Sequence, residues 1–355
     1  MDNVTSIKKE VKRDSNLELF RIITMVFIVA HHYVVNSGLM DIGGPIQSNP
    51  LCFKSIFLLL FGAWGKTGIN CFVFITGYFM CKSNITKKKF LKLIFEIYFY
   101  KVLIYLIFLL SGYEKFGLKN FIKLILPFSS ISNNFIGCYL LFFLCIPFLN
   151  LLINGMVEKQ HRYLILLLVF IYVISGSIPM ISISFNYVTW FCVLYIISSY
   201  VRLYPLAIFE NTKLWLLLTI ISVLIASMSI IGLCYIENII GKFNPYFFVA
   251  DSNKIFAVTT GFSSFMLFKN LKIKYNPLIN AMGASTFGVL LIHANSSTMR
   301  KWLWVDLLKN VQMYDSKYLY LHSVLSVLGI FIVCFVIDFL RIQLIEKKIF
   351  EKLIK

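Results

Sequence analysis

The sequence predicts an all-α polytopic membrane protein of about ten transmembrane helices, with both termini in the cytoplasm. Three observations carry this expectation. Of the 355 residues, 59% are hydrophobic and only 14% are charged, whereas soluble domains are nearer half apolar and about a quarter charged. Mean hydropathy is +0.81. Apolar stretches near the ~20 residues needed to cross hydrocarbon recur from end to end. Finally, Lys and Arg are shared unevenly between alternate loops, the bias that orients membrane proteins.

Spans are expected at about 17–38, 67–81, 90–111, 134–154, 162–178, 187–204, 214–233, 246–268, 278–298 and 319–341. A shorter apolar piece at 51–63 reads as interfacial or re-entrant. Lys8, Lys9, Lys12 and Arg13 precede a first stretch too long for a signal-peptide core, so it is expected to stay as a span. Ten spans put both termini on one face. Loops on that face carry 20 Lys and Arg against 11 on the other, which makes it the cytoplasmic face. The chain reads as a single membrane domain over 1–355, with a cytoplasmic N-terminal segment at 1–16 and a cytoplasmic basic tail at 342–355. The net charge of +18 lies in short loops between apolar spans, so nucleic acid is not an expected partner but membrane lipids are. Eight cysteines sit mostly inside apolar spans without a CxxC pair, and read as small buried side chains. No metal site is expected, and oligomeric state is left open.

The first span carries the chemistry. In FRIITMVFIVAHHY, residues 20–33, Arg21 and His32 are eleven residues apart. That is about 1100° of rotation, so they share a face within about 20°, roughly 16 Å apart along the axis. Glu18 and Asp14 fall on the same stripe; His31 points to its side. Polar groups inside a span face a bundle interior or a water-filled cavity. The stripe therefore predicts a cavity running from the cytoplasmic edge towards mid-membrane. Taken singly, Arg21 also fits an anchor reaching lipid phosphates, and His32 an interfacial residue.

Five motifs resemble the membrane acyltransferase-3 family. NLELFRIITMVFIVAHHY is similar to its opening helix, an arginine and a histidine separated by ten residues, with Glu18 at its acidic position. GINCFVFITGYFM resembles the second-helix pattern, with Thr76-Gly77-Tyr78 in place of Ser-Gly-Phe. NNFIGCYLLFFLCIPFLN matches at Phe135, Tyr139, Pro147 and Asn150, and WFCVLYIISSYVRLY at Tyr200 and Arg202. INAMGASTFGVLLIHANSSTMRKWLW resembles the late motif at Ser285, Thr286, Gly288, His293 and Arg300. It departs at Leu290, where the family often has Tyr, and at Ala294, where it often has Asp. Within the family the nearest likeness is to O-acetyltransferases of bacterial surface polysaccharides.

The resemblance implies acetyl transfer from acetyl-CoA to a sugar hydroxyl of a surface glycan or its lipid-linked precursor, in the inner membrane. His32 is then the general base that takes the hydroxyl proton; a covalent acetyl-histidine uses the same side chain. Arg21, too far away to touch an imidazole, is expected to orient the donor or to pair with Glu18. Lys87, Lys88 and Lys89 read as a holder of coenzyme A phosphates or as a plain cytoplasmic loop. Glu18, Tyr139, His293 and Arg300 are the acceptor-side candidates. His293 either lines the acceptor cavity or bonds across helices, and Arg300 either grips sugar or anchors the interface beside Trp302 and Trp304. Ser285 and Thr286 read as packing hydroxyls. Three further ion pairs follow from spacing: Glu96 with Lys101, Asp251 with Lys254, and Asp338 with Arg341. Competing classes are a glycolipid flippase and a membrane glycan polymerase. No strong internal repeat favours the transporter.

Overall fold

The computed structural model of the protein describes residues 14–126, 135–241 and 243–352. Residues 1–13 of the expected N-terminal segment and 353–355 of the expected tail lie outside the described residues. All regular structure among the described residues is helical. In chain order, α1 is Ser15–Val35, α2 Phe53–Gly62, α3 Gly65–Met80, α4 Lys87–Leu110 and α5 Phe135–Asn154. Next come α6 over Glu158–Ser177, α7 over Tyr187–Leu203, α8 over Thr212–Ile240 and α9 over Ile255–Asn270. Then follow α10 over Pro277–Ala284, α11 over Thr286–His293, α12 over Ser297–Lys301 and α13 over Leu319–Arg341.

These helices overlie the expected spans, and the architecture is that of a polytopic membrane protein. Among the described residues, seven units are long and apolar enough to cross a bilayer alone, or eight if the bent pair Pro277–His293 and Ser297–Met313 is one span. The piece expected at 51–63 is not separate: α2 and α3 form one unit of 28 residues, Phe53–Met80. The late span ends early. Its chain turns by 92° between His293 and Ser297. Broken backbone at membrane depth is tolerated where it borders a cavity.

Helix α1 is the hub, packed by α2, α3, α9, α10, α11 and α13. Its apolar core residues Met25, Val29, Tyr33 and Val34 are buried. Glycines bring the neighbouring helix close. A Cβ on Gly62 would lie 2.8 Å from Val34, one on Gly68 2.7 Å from Ile28, and one on Gly65 would overlap the His31 ring. Small residues at such spacing let membrane helices approach backbone to backbone.

A buried ion cluster ties α4 to α13. Arg341, 3% exposed, bonds Asp338 at 2.8 Å, Glu346 at 2.7 Å and Glu96 at 3.2 Å. Lys92 reaches Glu346 at 2.7 Å, and the Tyr100 hydroxyl donates to Asp338 at 2.9 Å. The Asp338–Arg341 pair is as spacing predicts; two other expected pairs are not. Glu96 and Lys101, five residues apart, lie about 140° apart around the helix, and Lys101 donates instead to the Leu126 carbonyl at 2.7 Å. Asp251 and Lys254 precede α9 in a turn, where helical spacing does not apply. Asp251 faces Lys66 at 3.5 Å, and Lys254 donates to the Gly176 carbonyl at 2.5 Å.

Replacing Arg341 by Met removes the cation from three carboxylates, of which Asp338 is fully buried and Glu346 nearly so. Stranding buried charge costs about 3–5 kcal/mol. Thermal unfolding in detergent is therefore expected at a clearly lower temperature than for the unmodified protein. Equal midpoints would show that the cluster contributes little.

Candidate functional site

A cavity of about 870 Å³ lies where α1 ends. His31, His32 and Asn36 border it from α1 and the turn that follows, with Lys66 at the start of α3, Lys101 on α4 and Arg300 on α12. It sits at the end of α1 remote from Ser15, at which α3, α5 and α7 begin.

His32 Nδ1 lies 2.9 Å from His293 Nε2. His293 is fully buried, and its Nδ1 lies 2.6 Å from the Val289 carbonyl. The hydrogen positions follow from the acceptors. A carbonyl only accepts, so His293 Nδ1 carries the proton. In neutral His293 the other nitrogen is then an acceptor, and His32 Nδ1–H donates to it. Neutral His32 is left with an unprotonated Nε2. The opposite tautomer would set two lone pairs against each other. Losing such a buried bond costs about 1–3 kcal/mol, a preference of roughly 5- to 150-fold.

His31 is held the same way. Its Nδ1 lies 2.6 Å from the Gly62 carbonyl, and its ring centroid is 5.8 Å from that of His32. Helix geometry sets His31 off the polar stripe, yet it borders the same cavity. A cavity at a helix end takes in more than one face, and the adjacent histidine doublet is the signal for it in the sequence.

The stripe does share one face, and protein covers it at Glu18, while the Arg21 side chain stays 25% exposed. Beside the stripe, Ser15 Oγ bonds Asn280 on α10 at 2.9 Å. Glu18, 5% exposed, packs on Gly283, where a Cβ would have no room. Higher on the stripe, His32 meets His293 on α11. Helix α10 thus covers the Glu18 part of the stripe, Arg21 stays partly exposed, and the histidine cavity lies at the other end of α1. Arg21 Nη1 lies 4.0 Å from Glu18 Oε1. Neither residue borders the histidine cavity.

Tyr139 and the lysines also lie off the cavity. The Tyr139 hydroxyl and Thr76 Oγ1 are 3.2 Å apart. Lys87, Lys88 and Lys89 begin α4 at the opposite end of the bundle, where Lys89 Nζ donates to Ser83 Oγ at 2.8 Å. Arg300 does border the cavity. Of the two tryptophans that follow it, Trp304 is fully buried and packs edge-on against Tyr33 at 5.9 Å, while Trp302 is half-buried and packs edge-on against Phe108 at 5.9 Å. Lys66 is a cavity residue that spacing does not reveal. The fold alone brings it to Tyr187, 2.7 Å away, and to Asp251. Thr286 Oγ1 bonds the Gly283 carbonyl at 2.8 Å, as expected of a packing hydroxyl. Among the described residues, no group of three or more His, Cys, Asp or Glu could hold a metal.

A helical membrane protein that holds a pinned histidine pair beside an internal cavity carries the parts of an intramembrane acid–base centre. The sequence model of the acyltransferase-3 family, described as an acyltransferase domain, matches residues 14–340, and the chain belongs to that family. It is a membrane acyltransferase. No curated protein and no solved structure matches the chain.

His293→Ala removes the acceptor of the His32 Nδ1 proton without touching the cavity wall. Turnover for acyl transfer in isolated membranes is expected to fall about 10²-fold, the low end of a general-base contribution, with KM for the acceptor little changed. Unchanged turnover, or a loss confined to KM, would remove His293 from the machinery.

Proposed function

We propose that the protein is a bacterial cell-membrane O-acetyltransferase. It moves acetyl from acetyl-CoA to a hydroxyl of a surface glycan or its lipid-linked precursor, with His32 as general base. The observation that carries this reading is the hydrogen-bond chain from the Val289 carbonyl through His293 to His32, which leaves His32 Nε2 unprotonated beside the cavity.

The chemistry follows from that lone pair. Nε2 takes the proton of the sugar hydroxyl as its oxygen attacks the thioester carbonyl. The C–O bond forms, the C–S bond breaks, and the imidazolium returns its proton to the departing thiolate of coenzyme A. Because His293 Nε2 accepts from Nδ1–H, the charge that develops on His32 strengthens the existing bond. Coenzyme A is anionic and cytoplasmic. In this reading it approaches the end of the bundle where α1 and α4 begin, with Arg21 and Lys87, Lys88 and Lys89 as its partners, and Glu18 and Tyr139 shape the passage. The glycan enters the cavity at the other end, against Arg300. A covalent relay would place the acetyl group on the same Nε2, and acid-quenched protein labelled with radioactive acetyl-CoA separates the two routes.

The test is proton NMR of the surface polysaccharide from cells carrying the gene, lacking it, or carrying His32→Ala at equal protein level. O-acetyl signals are expected with the unmodified gene only. The variant's transfer rate should drop about 10²- to 10⁴-fold. Normal acetylation by His32→Ala would overturn the proposal.

A further inference from the structure

A second space runs beside the histidine cavity, and no step so far uses it. It is an apolar groove of about 880 Å³ between α4 and α13. Along α13 it extends from Leu325 to Ile337, roughly 18 Å at 1.5 Å per residue and more than half the ~30 Å of hydrocarbon. Its wall is almost wholly aliphatic and aromatic, from Leu103 and Ile104 to Ile330 and Val333. Gly329 makes a notch in it, with nothing within 4 Å of where a Cβ would stand.

The groove and the cavity share their partition. On α4, Tyr100 and Ile104 face the groove while Lys101 borders the cavity; on α11, Ile292 and Leu291 divide the same way. On α12 adjacent residues divide between the two spaces, with Met299 on the groove and Arg300 on the cavity. The cavity wall holds three cations, Lys66, Lys101 and Arg300, and no carboxylate among its described lining residues. Asp251 offsets Lys66 at 3.5 Å. Arg300 spends only its Nε, on the Ser296 carbonyl at 3.3 Å, and no described carboxylate lies within salt-bridge distance of its guanidinium. Cations at membrane depth are costly and mark the path of a charged substrate.

We propose that the two spaces form one amphipathic site for a lipid-linked acceptor: a long apolar tail along α13, an anionic phosphate or diphosphate at Arg300, and the sugar beyond it under His32. Anionic charge at Arg300 satisfies donors that the protein leaves open, and tail burial in the groove supplies affinity by apolar contact. A single molecule with an apolar tail and an anionic head satisfies both walls at once. This assignment rests on the acetyltransferase reading and narrows its acceptor to a lipid-bound glycan.

The test measures binding to the purified full-length protein in detergent, without an acetyl donor. The probes are geranylgeranyl diphosphate, geranylgeraniol (tail alone) and inorganic pyrophosphate (head alone). The diphosphate lipid is expected to bind at least about tenfold tighter than either fragment, the effect of one charged hydrogen bond. Gly329→Trp, which fills the groove, should weaken the diphosphate lipid about tenfold and leave pyrophosphate unchanged. Arg300→Gln should weaken it about tenfold and leave geranylgeraniol unchanged. Equal binding of the diphosphate lipid and geranylgeraniol would mean an adventitious membrane lipid only and would overturn the proposal, as would full affinity in Gly329→Trp. Such failures leave acetyl transfer by His32 untouched, whereas acetylation that survives His32→Ala strikes the catalytic reading and not the lipid site.

Discussion

The arrangement depends on one hydrogen bond, between His32 Nδ1 and His293 Nε2 at 2.9 Å. An imidazole has two nitrogens, and neutral histidine can act as a base at only one of them at a time. The Val289 carbonyl, 2.6 Å from His293 Nδ1, sets the proton on that nitrogen. The choice passes across the helix interface to His32. Two fixed protons on the protein side leave one free lone pair beside the cavity. On the buried side of the pair this ordering is strong, because a misplaced donor or acceptor there has no other partner.

Holding that bond requires α1 and α11 to stay in register, and the rest of the bundle supplies this. The glycine row of α2 and α3 draws the neighbouring helix onto α1 on one side. Ser15 with Asn280, and Glu18 on Gly283, fasten α1 to α10 on another. The 92° turn after His293 ends α11 at the histidine and sends Arg300 to the cavity wall. A continuous helix would instead carry Arg300 two turns further on, away from His32. The ion cluster at Arg341 braces α4 against α13 on the far side of α11.

Helix positions are legible in the sequence because a membrane span is a local property, a run of apolar residues of fixed length. The 51–63 piece misleads because Trp64, Gly65 and Lys66 look like a break, whereas the structure joins Phe53–Met80 into one unit. The shared face of Glu18, Arg21 and His32 is likewise local, fixed by 100° per residue. What covers that face is not. Helix α10 lies more than 240 residues away in sequence, so its packing on Glu18 is made by the fold. The ion pairs sort by the same rule. Asp338–Arg341 lies within one helix turn and is readable, while Glu96–Arg341 and Lys66–Asp251 are made by the fold. The His32–His293 bond joins residues 261 apart. No spacing predicts it, although both residues stand in motifs that resemble one family.

The most direct measurement is nitrogen-15 NMR of the purified protein labelled at histidine, with His32 assigned by substitution. His32 is expected to be neutral in the Nδ1–H form, with Nε2 unprotonated, and to shift towards the Nε2–H form in His293→Ala. An Nε2–H tautomer in the unmodified protein would contradict it, because the nitrogen beside the cavity would then have no lone pair with which to accept a proton.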